Sequence, residues 1–180
     1  MSATGRARLA TVWLDGCSGC HMSFLDLDEG LLALADVADL VYSPLVDRKE
    51  FPEGVDVTLV EGAVSSDEDE RKIRLVRART RHLVAFGDCA VTGNVPAMRN
   101  PIGVRPLLER AYLENVTAQP QLPARGIPTL LPRVRPVHHV VPVDVTLPGC
   151  PPSPDLIAYA VGELLAGRVP DLAGKAWFGR

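Results

Sequence analysis

A chain of 180 residues, 47% of them apolar, with a formal charge of −3 can enclose one sizeable core and is expected to fold as a single domain over residues 1–180. Its slight acidity and 5% aromatic content exclude the basic, ring-lined surface of a nucleic-acid binder. No apolar run approaches the ~20 residues that span a bilayer, and the first ten residues hold neither an apolar signal core nor paired arginines, so a cytoplasmic protein without membrane contact is expected.

Leu9 to Leu14 reads as a short buried strand running directly into Gly16-Cys17-Ser18-Gly19-Cys20. Ser23 to Val37 reads as a helix, with Phe24, Leu27, Leu31, Leu34 and Ala38 along one face. Asp26, Asp28 and Glu29 in its early turns suit the helix dipole. Asp39 to Leu45 is a second strand, and Asp56 to Val64, bounded by Gly54 and Ser65, is the clearest buried one. A helix then starts at Ser66 with Ser65 and Glu68 spaced as a capping box, and runs to about Arg81. His82 to Phe86 is the next strand and delivers Gly87-Asp88-Cys89. Val104 to Glu114 is helical. Gln119 to Pro136 carries five prolines, at 120, 123, 128, 132 and 136, and can be neither a regular helix nor a central strand; a surface contact is expected of it. Val140 to Leu147 is a last strand, and Pro142 makes it an edge strand or a late-starting one; it delivers Pro148-Gly149-Cys150. Asp155 to Ala166 is an amphipathic helix, with Pro154 suited to its first turn and Gly167 to its stop.

Strand, loop and helix recur with helix-sized connections and no internal repeat. That order predicts an α/β fold built on a doubly wound parallel sheet. Ligands of such sheets lie beyond the carboxyl ends of the strands. Cys17, Cys89 and Cys150 each follow a strand at that end, so all four cysteines of the chain, Cys17, Cys20, Cys89 and Cys150, are expected to meet there.

Two residues separate Cys17 from Cys20, 68 separate Cys20 from Cys89, and 60 separate Cys89 from Cys150. In a reducing compartment such a set points to metal or redox chemistry rather than to disulfides. A structural zinc usually takes two close pairs, and here there is one. A dithiol redox pair at Cys17 and Cys20 would leave the other two thiols without a role. An iron–sulfur cluster held by a folded scaffold uses all four. Gly16, Gly19, Gly87 and Gly149 let backbone approach such a group and could direct N–H donors at it; a plain tight turn is the lesser reading of each.

The run from Trp13 to Leu25 around Cys17-Ser-Gly-Cys20 resembles the N-terminal motif of nickel–iron hydrogenase small subunits. Val60-Glu61-Gly62-Ala63-Val64 resembles the end of that family's second strand. Gly87-Asp88-Cys89-Ala90 with Gly93-Asn94 resembles its third ligand loop, and Pro148-Gly149-Cys150-Pro151-Pro152 its fourth. The resemblance implies a flavodoxin-like fold with one [4Fe–4S] cluster at the carboxyl ends of the strands, ligated by Cys17, Cys20, Cys89 and Cys150. The Ni–Fe centre would lie in a separate large subunit. The short form resembles the small subunit of cytoplasmic, bidirectional NAD-reducing hydrogenases, whose diaphorase subunits carry flavin and further iron–sulfur clusters. The chain has no G-x-G-x-x-G after a strand, so NAD would be bound by that module. A flavodoxin-like fold would admit FMN, which nothing in the sequence demands. Where many small subunits carry a proton-transferring glutamate two residues after the second ligand, this chain has Met22, so its proton route must differ. Related complexes, the F420-reducing hydrogenases and the quinone oxidoreductases, are the alternatives, together with a stand-alone iron–sulfur module.

Outside the thiols, Glu61 ends a buried strand and should be hydrogen-bonded there. His21, next to Cys20, is expected at the surface. His138 and His139 have no expected metal role beside four thiols. The arginines from Arg71 to Arg81 share a helix with Asp67 to Glu70 and predict a solvated face of i,i+4 pairs.

Overall fold

The computed structural model describes residues 5–179; Met1 to Thr4, part of the segment read above for export signals, and Arg180 lie outside the described residues. Strands β1 (Ala7–Trp13), β2 (Ala38–Tyr42), β3 (Val55–Glu61), β5 (Thr80–Phe86) and β7 (Val145–Leu147) form one sheet in the order β2-β1-β3-β5-β7. Every pairing in it is parallel. This is the doubly wound arrangement expected from the alternation of strands and helices.

Alternating residues divide the core between the two faces. Leu9, Val57, Leu59, Val84 and Phe86 pack with Phe24 of helix α1 (Gly19–Leu25) and with Ile157 and Val161 of α7 (Pro154–Leu165). Ala10, Val12, Val60, Leu83 and Ala85 pack on the other face with Ile73 and Val76 of α3 (Asp67–Arg79) and with Ala90 of α4 (Asp88–Thr92). Gly93 joins α4 to the one-turn helix α5 (Asn94–Ala97).

Several boundaries differ from those expected. The helix predicted over 23–37 is two helices, α1 and α2 (Gly30–Val37), broken where Asp28 takes φ +48°. The leucine face survives the break: Leu27, Leu31 and Leu34 all pack against the same core. β3 stops at Glu61 rather than running to Val64, because Gly62 turns the chain at φ +91°. A side chain there would put its Cβ 2.8 Å from the Asp15 carbonyl oxygen. Beyond the turn, β4 (Val64–Ser66) pairs antiparallel with β6 (Leu130–Arg135). Part of the proline-rich stretch is thus a strand, but one of a two-stranded ribbon in which Pro132 is tolerated. The cap of α3 is Ser66, with Asp69 completing the box (Asp69 N–H to Ser66 Oγ, 3.1 Å; Ser66 N–H to Asp69 Oδ2, 2.9 Å), one residue later than read from the sequence. The helix α6 (Val104–Glu109) passes into a π-helical turn over Arg110–Glu114. β7 starts late, after Pro142, and lies at the sheet edge. α7 begins at Pro154, capped by the Ser153 hydroxyl, and Gly167 follows its end at φ +75°. Among the described residues no helix is long and apolar enough to cross a membrane.

Ile73 is fully buried between α3 and the sheet. Ile73→Ala should cost about 2–5 kcal/mol, read as a lower urea midpoint at an unchanged slope.

Candidate metal centre

Parallel register lines up the strand ends. Trp13 pairs with Glu61, Glu61 with Phe86 and Phe86 with Leu147. Cys17, Cys89 and Cys150 follow three of these residues by four, three and three positions, so their loops leave the sheet along one edge. Backbone bonds then tie the loops together. Leu14 N–H donates to the Glu61 carbonyl (2.9 Å), and Asp15 and Ala63 exchange two bonds (3.0 and 2.7 Å). Gly87 N–H donates to the Leu147 carbonyl and Asp88 N–H to that of Gly149, both at 2.8 Å.

The thiols differ in exposure. Cys20, in the first turn of α1, is buried; Cys89, in α4, is half-buried; Cys17 and Cys150 are exposed. Burial holds the Cys20 thiol well above its ordinary value, and the charges of Glu61, Cys89, Cys17 and Cys150 push it further in the same direction. Burial, then Cys150 and Cys17, push Cys89 up to about 11, opposed by the Val95 N–H that donates to it. Cys20 feels the charges of the other three thiols, and Cys89 those of Cys17 and Cys150, so the four are clustered, and a cationic group among them would reverse the penalty on Cys20 and Cys89. Among the described residues, no three His, Cys, Asp or Glu side chains close on the spacing of a single metal ion.

Glycine clears the room. A Cβ on Gly87, at φ +84°, would lie 2.1 Å from Cys20 Sγ, so that thiol occupies space only glycine leaves open. A Cβ on Gly19 would lie 3.2 Å from Cys17 Sγ. Gly16 serves a different contact: its Cβ would meet Gly62 Cα at 3.3 Å and Glu61 Oε1 at 3.7 Å. The Gly149 N–H donates to Asp88 Oδ1 (2.7 Å) rather than into the thiol cluster. Four converging thiols in a glycine-lined cradle fit a thiolate-ligated iron–sulfur group.

Beneath the cradle, Glu61 is only 3% exposed and His21 1%. The Glu61 carboxylate accepts the backbone N–H of His21 (2.9 Å) and of Cys20 (3.4 Å) and bonds the His21 ring at Nδ1. It therefore satisfies two of the free amides of α1, whose N-cap Ser18 is left-handed and contributes no side-chain bond. The surface position expected for His21 is incorrect: its ring is enclosed by Trp13 and Phe86, 5.1 and 6.2 Å away between centroids. His21 Nε2 and Trp13 Nε1 are buried without a hydrogen-bond partner among the described residues. His138 and His139 meet edge to face at the surface. On α3, Arg71 pairs with Asp67 and Arg74 with Glu70 at i,i+4, while Arg77 reaches Asp144.

Two further side chains belong to the site. Asp88 is buried and accepts from Gly149 and, through Oδ2, from Gly179 N–H (2.7 Å). Asn94 directs its amide nitrogen at Cys150 Sγ (3.6 Å). Both lie in the Gly87–Asn94 motif, and their only local signal was a polar residue beside a glycine.

Residues 17–164 match the family described as NADH ubiquinone oxidoreductase, 20 Kd subunit. The chain belongs to this family. Within it, the chain is 41% identical over 173 residues to the delta subunit of the NAD-reducing hydrogenase HoxS of Cupriavidus necator, covering 93% of this chain and 83% of the relative. It is 39% identical over 170 residues to a subunit of the F420-non-reducing hydrogenase vhu of Methanocaldococcus jannaschii, covering 93% of this chain and 59% of that protein. The chain thus spans little more than half the length of the latter relative. A chain in the crystal structure of an H2-reduced NAD+-reducing [NiFe]-hydrogenase superposes with a TM-score of 0.89 at 42% identity, over 92% of this chain and 94% of that one.

Glu61→Ala would strand the amides of Cys20 and His21 and the His21 ring nitrogen, each worth ~1–3 kcal/mol when buried without a partner; a urea midpoint lower than that of Glu61→Gln checks it. The raised Cys89 thiol sets a pH dependence for the metal-free fold. Folding keeps a proton that the unfolded chain releases above its ordinary value of 9.0. The resulting stability is fully present below pH 9 and lost as the pH rises through about 11. Urea midpoints across that window should fall for the wild type and fall less for Cys89→Ala.

Proposed function

We propose that this chain is the electron-transfer small subunit of an NAD-reducing nickel–iron hydrogenase, and that Cys17, Cys20, Cys89 and Cys150 hold its single proximal [4Fe–4S] cluster. The observation that carries this is the meeting of all four thiols, delivered by three register-aligned strand ends, in a cradle kept open by Gly87. The likeness to a HoxS delta subunit and to a chain of an NAD+-reducing [NiFe]-hydrogenase supports the same assignment.

When bound, such a cluster supplies one-electron transfer. The chain's own residues determine where that can happen. Cys20, with α1 and the Phe86 ring beneath it, excludes water from the inner side. Cys17 and Cys150 bring the outer side to the surface. Met22, 58% exposed, and Val95, Met98 and Ile102 follow the ligands in sequence and present apolar surface; we assign them to the face that docks the large subunit carrying the Ni–Fe site. Met22 cannot carry a proton, so proton movement is assigned to that partner. NAD is assigned to a diaphorase module with its own flavin and clusters, and the complex to the cytoplasm. The Cys17-x-x-Cys20 spacing sets this chain apart from quinone-reducing relatives, in which two cysteines are adjacent.

Anaerobic affinity purification with metal analysis should return nickel, excess iron and a larger chain. About four irons per chain without nickel or a partner would move the function to a stand-alone carrier. Cys89→Ser should lose or convert the cluster and abolish hydrogen-dependent NAD reduction; unchanged iron and activity would remove Cys89 from the ligand set.

A further inference from the structure

Cys150 has no strand or helix of its own. β7 ends three residues before it at Leu147, and α7 starts at Pro154. Three of the contacts that hold it come from the short segment carrying Cys89. Asp88 and Gly149 exchange two bonds: Asp88 N–H donates to the Gly149 carbonyl (2.8 Å), and Gly149 N–H donates to Asp88 Oδ1 (2.7 Å). Asn94 Nδ2 then approaches Cys150 Sγ at 3.6 Å. The segment between them is itself tied, with Thr92 Oγ1 donating to the Asp88 carbonyl (2.8 Å) and Asn94 N–H directed at Thr92 Oγ1 (3.3 Å). Asn94 sits at φ +33°, a conformation few residues other than asparagine and glycine take readily.

The geometry points to residues 88–94 as the device that positions and tunes the fourth thiol: Asp88 fixes its backbone, and the Asn94 carboxamide donates to its sulfur. The inference rests on the cluster assignment above. A ligating thiolate only accepts hydrogen bonds, so the carboxamide must present its NH2 group rather than its oxygen. A donor on a ligand sulfur favours the more negative, reduced state of the bound group and so raises its reduction potential. Cys150 is exposed, so when the carboxamide is merely removed water can donate in its place. Replacement by a carboxylate leaves no such rescue and adds a like charge.

The test uses the complex purified anaerobically, with iron per chain and an EPR-monitored midpoint potential as readouts. Asn94→Asp keeps the side-chain shape and tolerates the left-handed backbone; it should retain iron and shift the midpoint downward. Asn94→Gly should shift it downward by less. If Asn94→Asp fails to hold iron, the Asn94→Gly shift decides. Asp88→Ala should speed hydrogen exchange at the Gly149 and Cys150 amides, in the iron-free chain as well. A midpoint at or above wild type in the iron-loaded Asn94 variants would overturn the tuning role, and unchanged exchange in Asp88→Ala the positioning role. A wild-type chain without iron would overturn the cluster assignment and this inference with it, whereas loaded wild type with unmoved variants would overturn this inference alone.

Discussion

Register between parallel strands is the constraint on which the rest of the molecule depends. Slipping a strand by one residue turns its side chains to the opposite face. Here both faces of the central strands are buried, by Leu59 and Val84 on one side and Val60 and Ala85 on the other. The alignment of Trp13, Glu61, Phe86 and Leu147 is therefore held by the whole core. Loops of three or four residues then have little freedom in where they deliver a thiol. The same core that stabilises the fold thus sets the site's geometry, and no local zinc-knuckle-like structure is required.

A second consequence follows at Glu61. Opening a helix inside a cysteine loop leaves amides without partners, and Ser18 cannot supply a cap from its left-handed position. The neighbouring strand ends in a carboxylate that takes those of Cys20 and His21, and the His21 ring adds a third contact. One buried acid thereby joins β3, α1 and the backbone of a cysteine loop. Its cost is offset by those donors, which is the condition under which buried carboxylates persist.

The ends of β1, β5 and β7 were legible because each of these runs stops close to a glycine and leads to a cysteine. What escaped is nonlocal or degenerate. Ser65 and Ser66 stand side by side before four consecutive acids, so the capping register was ambiguous by one residue. The break at Asp28 was hidden because Leu27, Leu31 and Leu34 continue one face across it. The β4–β6 ribbon pairs Val64 with Arg135 and Ser66 with Leu130, far apart in the chain, and leaves no periodic trace. His21 is buried by Trp13, Glu61 and Phe86, none of which is near enough in sequence to predict a burial. Local patterns describe elements well; what surrounds a side chain is written by register.

The dispersal of the thiols from Cys17 to Cys150 has a consequence for biogenesis. Before β1 and β5 have joined β3, and β7 has joined β5, only Cys17 and Cys20 are neighbours, and no group needing four sulfurs can be held. For the cluster proposed above, topology would dictate the order of maturation: the sheet would assemble first, and loading would follow from the side where Cys17 and Cys150 are exposed. A group that engaged the folded chain alone would draw the folding equilibrium after it by mass action.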